Sequence, residues 1–506
     1  MSSESSHKQI FRSSVLLGST QLITLLITFV RLKTIAILLG PAGVGLIGLY
    51  SAFLELMTAM SRLGVNESGV REIAASDGNP AEIEKLAQAI DRLSFFSGVI
   101  GWIVTVLLSS TISQWLFDSS QYASSLMILG AAVLVGTIAS GRLAVIQGLG
   151  QVGYLARINI GLAIGGTTIA VLGYYWVGER GIVPVLVLTG LVQAALAWWY
   201  SRKLMPGRTT FSWAQTLETG NGLIKLGVAL MYGVVLAALT LLAVRAIIVH
   251  FLGIEDSGFY QAAWSISGIL SGFLVSAMST DYYPRLAAVA EDNDAVNRLV
   301  NDQIEISALL ATPGLVAATV LATIIVPLIY STEFIVSSIL LPWFLFGVYV
   351  QVLIFPMGFI QRAKSNRKWI VISQSHMNLL HIAAAFLLVP TLGLIGVVYA
   401  FTFSMLVHAI LTRYIAGRLS GFVWRERTVR TILVSTAFML AAISIATLPI
   451  VDNEYLMGGV LVLMSCLFSL RALVHLLGSE HQLSVVVNSL PGGKYLLQEG
   501  QGDPDE

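Results

Sequence analysis

Three cations lie inside stretches that are otherwise apolar enough to cross a bilayer. Arg31 and Lys33 fall in the run that begins near residue 15, and Arg245 in one that begins near residue 222. At about 1.5 Å of helical rise per residue, Arg31 is about 13 Å below Gly40 and Arg245 about 12 Å below Gly253. Both depths approach the middle of a hydrocarbon core roughly 30 Å thick. A guanidinium there costs about 2.5–3.5 kcal/mol on insertion scales, so it must face water, a carboxylate or an anionic ligand. The chemistry open to Arg31 and Arg245 is to hold an anion near the midplane, shared between two halves of the chain. Lys33 stands about 200° round the helix from Arg31 and nearer the outer interface, so it is either a third cation for the same anion or a lysine whose stem snorkels.

Polar neighbours recur at helical spacing. Thr20, Thr24, Thr28 and Arg31 form one stripe, and Ser51, Glu55, Thr58 and Arg62 form another on the next helix. Hydroxyls alone read as glue between packed helices; a stripe that ends in an ionised group reads as the wall of a wet cavity. Glu55 either neutralises Arg31 or Lys33, or is a carboxylate that couples protons to transport. Gln261, a candidate cavity or ion-coupling residue, heads a face with Gly268 and Gly272 that reads either as a close packing surface or as one that slides or hinges during transport. Arg62, Arg142 and Arg157 fall at the expected cytoplasmic ends, where they either receive an incoming phosphate or anchor the helices.

The elements that carry these residues must be transmembrane helices. Only 11% of the 506 residues are charged and 56% are apolar, against roughly a quarter charged in a soluble domain. Strand alternation is absent, and lipid demands that each backbone group be satisfied within its own segment. The apolar runs predict about fourteen spans. A first six cover 15–39, 44–63, 94–116, 122–147, 158–176 and 181–200. A second six cover 222–250, 257–280, 304–330, 336–360, 370–389 and 394–412, and a last pair 431–450 and 456–477. With the amino terminus cytoplasmic, nearly all of the 29 lysines and arginines fall on one side, and Arg180 alone lies in an outer loop. That asymmetry predicts both termini inside the cell. The outer connections (LGPAG, FDSSQ, VGER, LGIED, YSTEF, VPTLG, VDNEY) are too short to fold into a domain.

The sequence also repeats. Residues 38–53, LLGPAGVGLIGLYSAF, align with 251–266, FLGIEDSGFYQAAWSI, and Arg31 with Arg245 and Arg71 with Arg285 at nearly the same offset. A unit of six helices returns to its starting side, so the halves are expected to be parallel, related by an axis along the membrane normal. The expected division is a six-helix lobe over 1–205, a second over 206–420, an additional pair over 421–478 and a cytoplasmic tail over 479–506. The fold class is therefore an all-α polytopic membrane protein.

Several chemistries are excluded. Neither a Walker A nor an HExxH motif occurs, the single cysteine, Cys466, lies in an apolar run, and no cofactor, metal or nucleic-acid partner is expected. Asp292-Asn293-Asp294 imitates a sugar-nucleotide DxD but reads as a solvated loop. His376 and His381 are five residues apart, poorly placed to share a metal on one helical face.

At Leu39-Gly40-Pro41-Ala42-Gly43-Val44-Gly45, followed by the polar second helix and Arg71-Glu72-Ile73-Ala74, the chain resembles the polysaccharide-flippase branch of the MOP exporter superfamily. O-antigen and enterobacterial-common-antigen lipid flippases are the nearest likeness. Gln147-Gly148-Leu149-Gly150-Gln151 is similar to that branch's turn after the fourth helix. The last two helices depart from the usual twelve and are more like the lipid II flippases. The resemblance implies two lobes around a cavity that opens alternately to each side of the inner membrane, and a polyprenyl-diphosphate oligosaccharide as substrate. It implies Arg31 and Arg245 as diphosphate ligands and Lys33 as a third candidate, with H+ or Na+ coupling, membrane lipids around the chain and other polysaccharide-assembly proteins as partners. The alternatives are a drug or metabolite exporter of the same architecture, which should favour acidic and aromatic cavity residues, and a membrane glycosyltransferase or polymerase, which needs a sizeable outer loop.

Overall fold

The computed structural model describes residues 3–76, 78–204, 212–447 and 454–477, and every regular element among them is a helix. The chain runs through α1 (Ser3–Ser61), α2 (Val65–Ala75), α3 (Pro80–Phe117), α4 (Ala123–Gly148), α5 (Val152–Val177), α6 (Ile182–Leu204) and α7 (Trp213–Phe251). It continues through α8 (Ile254–Ala288), α9 (Asn293–Val320), α10 (Ala322–Ile329), α11 (Ser337–Ala363), α12 (Arg367–Leu392), α13 (Leu394–Ser420), α14 (Glu426–Thr447) and α15 (Glu454–Leu477). Among the described residues 11 helices are long and apolar enough to cross a membrane. Two of these, Thr20–Ser61 and Val152–Leu204, are 42 and 53 residues long, about twice what one crossing needs. Each holds an interruption, at Gly40 and at Gly178–Gly181, and so accounts for two expected spans. The expected tail, 479–506, lies outside the described residues.

Burial is inverted relative to a soluble bundle. On α3, Thr105, Ser109 and Ser113 are buried while Leu107 is 74% exposed, and on α13 Ile410 is 71% exposed. Lipid tails are as apolar as leucine, so the hydroxyls turn inward, where they bond to carbonyls of their own helix, as Thr105 does to Gly101 at 2.7 Å.

Several helices start well before the hydrocarbon runs on which the predicted spans were set. Asn79 caps α3 by accepting from Ala81 N, with Pro80 at its first turn. Ser212 and Gln215 form a capping box on α7. Asp292 accepts from Asp294 N and Ala295 N, both at 3.0 Å, so the acidic run read as a solvated loop is the cap of α9. The sequence reading has no counterpart of α2. It is too short to span and buries one face, Val65 and Ile73, against Leu86, Ile90, Val145 and Leu223 of α3, α4 and α7.

The repeat is visible in backbone geometry. Gly40 (φ 61°) and Gly253 (φ 105°), equivalent by alignment, both adopt the left-handed region that glycine reaches without strain. Gly45 and Gly258 are also equivalent. A side chain on Gly45 would strike Ile254 O, and one on Gly258 would strike Pro41 O. Each half thus lays its glycine against the other's first helical turn, a crossing that only hydrogen at Cα permits.

Packing groups Met1–Gln261 with Leu328–Glu333 as one compact unit, and Ala262–Pro327 with Phe334–Glu506 as another. In the first, α3 and α6 pack on α4, α1 packs on α5 and α7, and α2 bridges α3, α4 and α7. In the second, α11 and α12 pack on α13, while α14 and α15 lie on α9. A buried carboxylate fixes that last attachment: Glu305, 2% exposed, accepts from Thr428 Oγ1 and from Arg427 Nε at 3.2 Å. One turn earlier Asn301 Nδ2 donates to Val423 O at 3.1 Å, and Asn301 Oδ1 accepts from Arg425 N at 3.1 Å. Gly268 and Gly272 of α8, expected to pack closely, have open space where a Cβ would stand.

Candidate functional site

Arg245 is the most enclosed of the expected residues, at 3% exposure. Its Nε and Nη2 both donate to Gln261 Oε1, at 3.2 and 2.5 Å, and Nη1 donates to Leu241 O at 3.0 Å. The guanidinium stands 5.2 Å from the Tyr260 ring centroid. A single neutral carbonyl oxygen therefore takes two donors of the fork, the position one oxygen of an oxyanion would fill. Gln261 reaches it because its repeat equivalent is Gly48: a Cβ on Gly48 would stand 2.7 Å from Gln261 Oε1.

Arg31 is set differently. It makes no hydrogen bond and no ion pair among the described residues, and its electrostatic neighbour is Tyr174. A Cβ on Gly166 would stand 3.7 Å from Arg31 Nη1 and 3.3 Å from Thr189 Cγ2. The hydroxyls of Tyr174 and Thr189 are buried without partners among the described residues. A guanidinium and two such hydroxyls thus share one neighbourhood, all able to donate to an acceptor that the described residues do not supply. Arg31 and Arg245, expected from opposite lobes, fall in the same compact unit, one against α5 and the other against α8.

Glu55 is an electrostatic neighbour of Arg245 and Arg62, and Arg31 has Tyr174 in that place instead. The break at Gly40 is the reason: Arg31 precedes it and faces α5, whereas Glu55 follows it on the arm that meets α8. Lys33 is half-buried. Thr24 and Thr28 donate to Thr20 O and Thr24 O, at 2.6 and 2.8 Å, so their protons are used within the helix. Ser51 is exposed, and Thr58 is buried with its methyl against Gly136.

The three arginines of the expected cytoplasmic ends separate. Arg142 pairs with Asp91 Oδ2 at 3.1 Å and donates to Ser201 Oγ at 3.3 Å. Arg157 is exposed, its guanidinium 5.8 Å from the Tyr154 ring. Arg62 lines a cavity of about 540 Å³ with Asn66, Glu67 and Gln193. Tyr174, Tyr260 and these last three were missed by sequence reading. The tyrosines resemble interfacial aromatics, and Asn66 and Glu67 lie in a stretch taken as a connection.

A model of the polysaccharide biosynthesis protein family matches residues 34–339. The lipid III flippase of Escherichia coli (strain K12) is 23% identical over 393 residues, covering 74% of this chain and 90% of that protein. Among solved structures, the lipid II flippase MurJ in an inward closed conformation superposes with TM-score 0.71 at 13% identity, over 92% of this chain and 99% of that one. A multidrug resistance MATE family transporter of the MOP superfamily, inward-facing, gives TM-score 0.60 at 14% identity, over 80% and 98%. These likenesses establish the all-helical two-lobe fold of the MOP exporters.

Proposed function

Because the chain belongs to the polysaccharide biosynthesis protein family, we propose that it is a flippase, not an enzyme, that moves a polyprenyl-diphosphate-linked oligosaccharide from the cytoplasmic to the outer leaflet of the inner membrane. The observation that carries this reading is Arg31, an intramembrane guanidinium that no acid of the described protein matches. A cation left open in lipid calls for an anionic cargo, and a diphosphate supplies acceptor oxygens for the guanidinium and for the Tyr174 and Thr189 hydroxyls. Arg245 is the second ligand. Gln261 occupies its fork in the ligand-free state, so a phosphate oxygen must displace one carbonyl, and affinity for the displaced arrangement shifts the population of states. The likeness to the E. coli lipid III flippase supports the lipid-linked class of cargo. A cationic drug as cargo is disfavoured by the same unpaired charge.

Coupling to H+ or Na+ is assigned to Glu55, exposed and within electrostatic reach of both Arg245 and Arg62. With both termini cytoplasmic, Arg62 lies on the side from which the cargo enters, and an O-antigen repeat unit is the cargo we favour.

The test is transport of a fluorescent polyprenyl-diphosphate oligosaccharide in proteoliposomes. Wild type should flip it, and Arg31→Ala should slow flipping at least about 30-fold, the equivalent of about 2 kcal/mol. Transport unchanged by Arg31→Ala and Arg245→Ala together would remove the cation site. Export of cationic dyes with no flipping of the lipid would remove the flippase reading.

A further inference from the structure

The first compact unit holds a polar compartment that diphosphate binding does not use. Arg62 at the end of α1, Asn66 and Glu67 of α2, Ser140 and Gln147 of α4 and Gln193 of α6 line its cavity of about 540 Å³. A water takes up about 30 Å³ of liquid, and small-molecule sites run from about 300 to 1,000 Å³, so this space is the size of a ligand. Arg62 Nε, Asn66 Oδ1 and Glu67 Oε2 are buried and hydrogen-bonded to nothing among the described residues. Asn66 Nδ2 does donate to Glu67 Oε1, at 3.0 Å, which orients the amide and leaves the outer atoms of the pair unused. An unmet buried polar group costs about 1–3 kcal/mol. Three in one wall mark a surface built to be completed by something else.

The chemistry of the wall selects the ligand. Arg62 and Glu67 cancel, so the compartment has no net charge to offer an ion. A phosphate, which only accepts, would meet the Glu67 carboxylate. A bare metal ion would meet the Arg62 guanidinium in a space many times its size. The three carboxamides each carry donors and an acceptor, the same duality that a sugar hydroxyl carries on one oxygen, and the Ser140 oxygen, which donates its proton to Gly136 O at 2.7 Å, still accepts. Val70, Leu143 and Ala144 supply apolar wall for the C–H face of a ring.

We infer that this cavity is a saccharide subsite, taking neutral, hydroxyl-rich sugar of the cargo while the diphosphate is held elsewhere. The inference rests on the flippase reading for the sugar's carrier. It also gives α2 a purpose: the helix is too short to span, and its Asn66 and Glu67 bring to the wall polar groups that a spanning helix could not easily hold.

The experiment measures Kd of the purified full-length protein for three probes: polyprenyl diphosphate, the same lipid bearing one N-acetylglucosamine, and the same lipid bearing a trisaccharide built on it. Wild type should bind at least one glycosylated probe about tenfold tighter than the bare lipid, about 1.4 kcal/mol. Asn66→Ala and Gln193→Ala should each reduce that ratio at least about threefold and leave the bare-lipid Kd unchanged. Gln193→Glu, nearly isosteric, should lose the ratio in the same way and decides the matter if the alanine variants misfold. Arg31→Ala should weaken all three probes alike. A wild-type ratio of one, or a ratio that survives all three cavity substitutions, overturns the saccharide subsite and leaves the flippase standing. Failure of wild type to bind even the bare lipid overturns both.

Discussion

Two buried polar regions of this protein are built on opposite plans. On α9 and α14, Glu305 is matched by Thr428 and Arg427, and both ends of the Asn301 amide are used by the chain around Val423 and Arg425. Around α1, α5 and α2, Arg31 has no acceptor among the described residues, and Arg62 Nε, Glu67 Oε2 and the Tyr174 hydroxyl are buried without partners. The first region has spent its polar groups on holding two helices together. The second leaves them open among the described residues, and this is where we propose that the cargo binds. Polar residues in a membrane protein are thus read less by their charge than by whether the protein satisfies them itself.

The contrast can be broken by substitution. Glu305→Ala should have the largest effect, about 2–3 kcal/mol of stability, because it strands the buried Thr428 hydroxyl and breaks the tie between α9 and α14, while the half-exposed Arg427 stays solvated; thermal unfolding in detergent measures it. Gly258→Ala, which would press a methyl into Pro41 O, should cost about 1–3 kcal/mol in the same assay. Gln261→Ala strips Arg245 of the acceptor for two donors and should cost about 1–2 kcal/mol. Polyprenyl diphosphate should restore part of that loss by replacing the carbonyl with a phosphate oxygen, seen as a larger ligand-induced rise in Tm than wild type shows. Arg31→Ala should cost no stability in unfolding, and should raise it if anything, because it removes a cation that the described residues leave without an acceptor, although it cripples transport. A large stability loss for Arg31→Ala would erase the distinction, for it would mean that the protein does satisfy that cation after all.

Much of the site was legible as a set of residues and little of it as a set of contacts. Arg31 and Arg245 declare themselves by depth alone, since a guanidinium in a run of leucine and isoleucine is costly wherever the run folds. Glu55 also stood out, but its partner did not: the break at Gly40 turns the second arm of α1 toward α8, so the acid faces Arg245 and Arg62 and leaves Arg31 unmatched. Arg142 and Arg62 look alike in sequence, each a cation near a helix end. Only packing gives Asp91 to the first and a cavity to the second. Asn66 and Glu67 gave no signal, because a short amphipathic helix between two spans has the same composition as a connecting loop.

By itself the amino-acid sequence determined that this chain crosses a membrane as helices, that it repeats itself, and that two arginines lie deep in its spans, where each needs a polar or anionic partner. These follow from length, apolar content and period, which are local properties that lipid enforces on each segment separately. Tertiary structure decided which polar groups are paired and which are left open: Glu305 closed by α14, Gln261 laid on Arg245 over Gly48, α2 folded against α4 to make a cavity. Those pairings join residues far apart in the chain, and with no water in the bilayer core to substitute for a missing partner, packing alone chooses among the candidates.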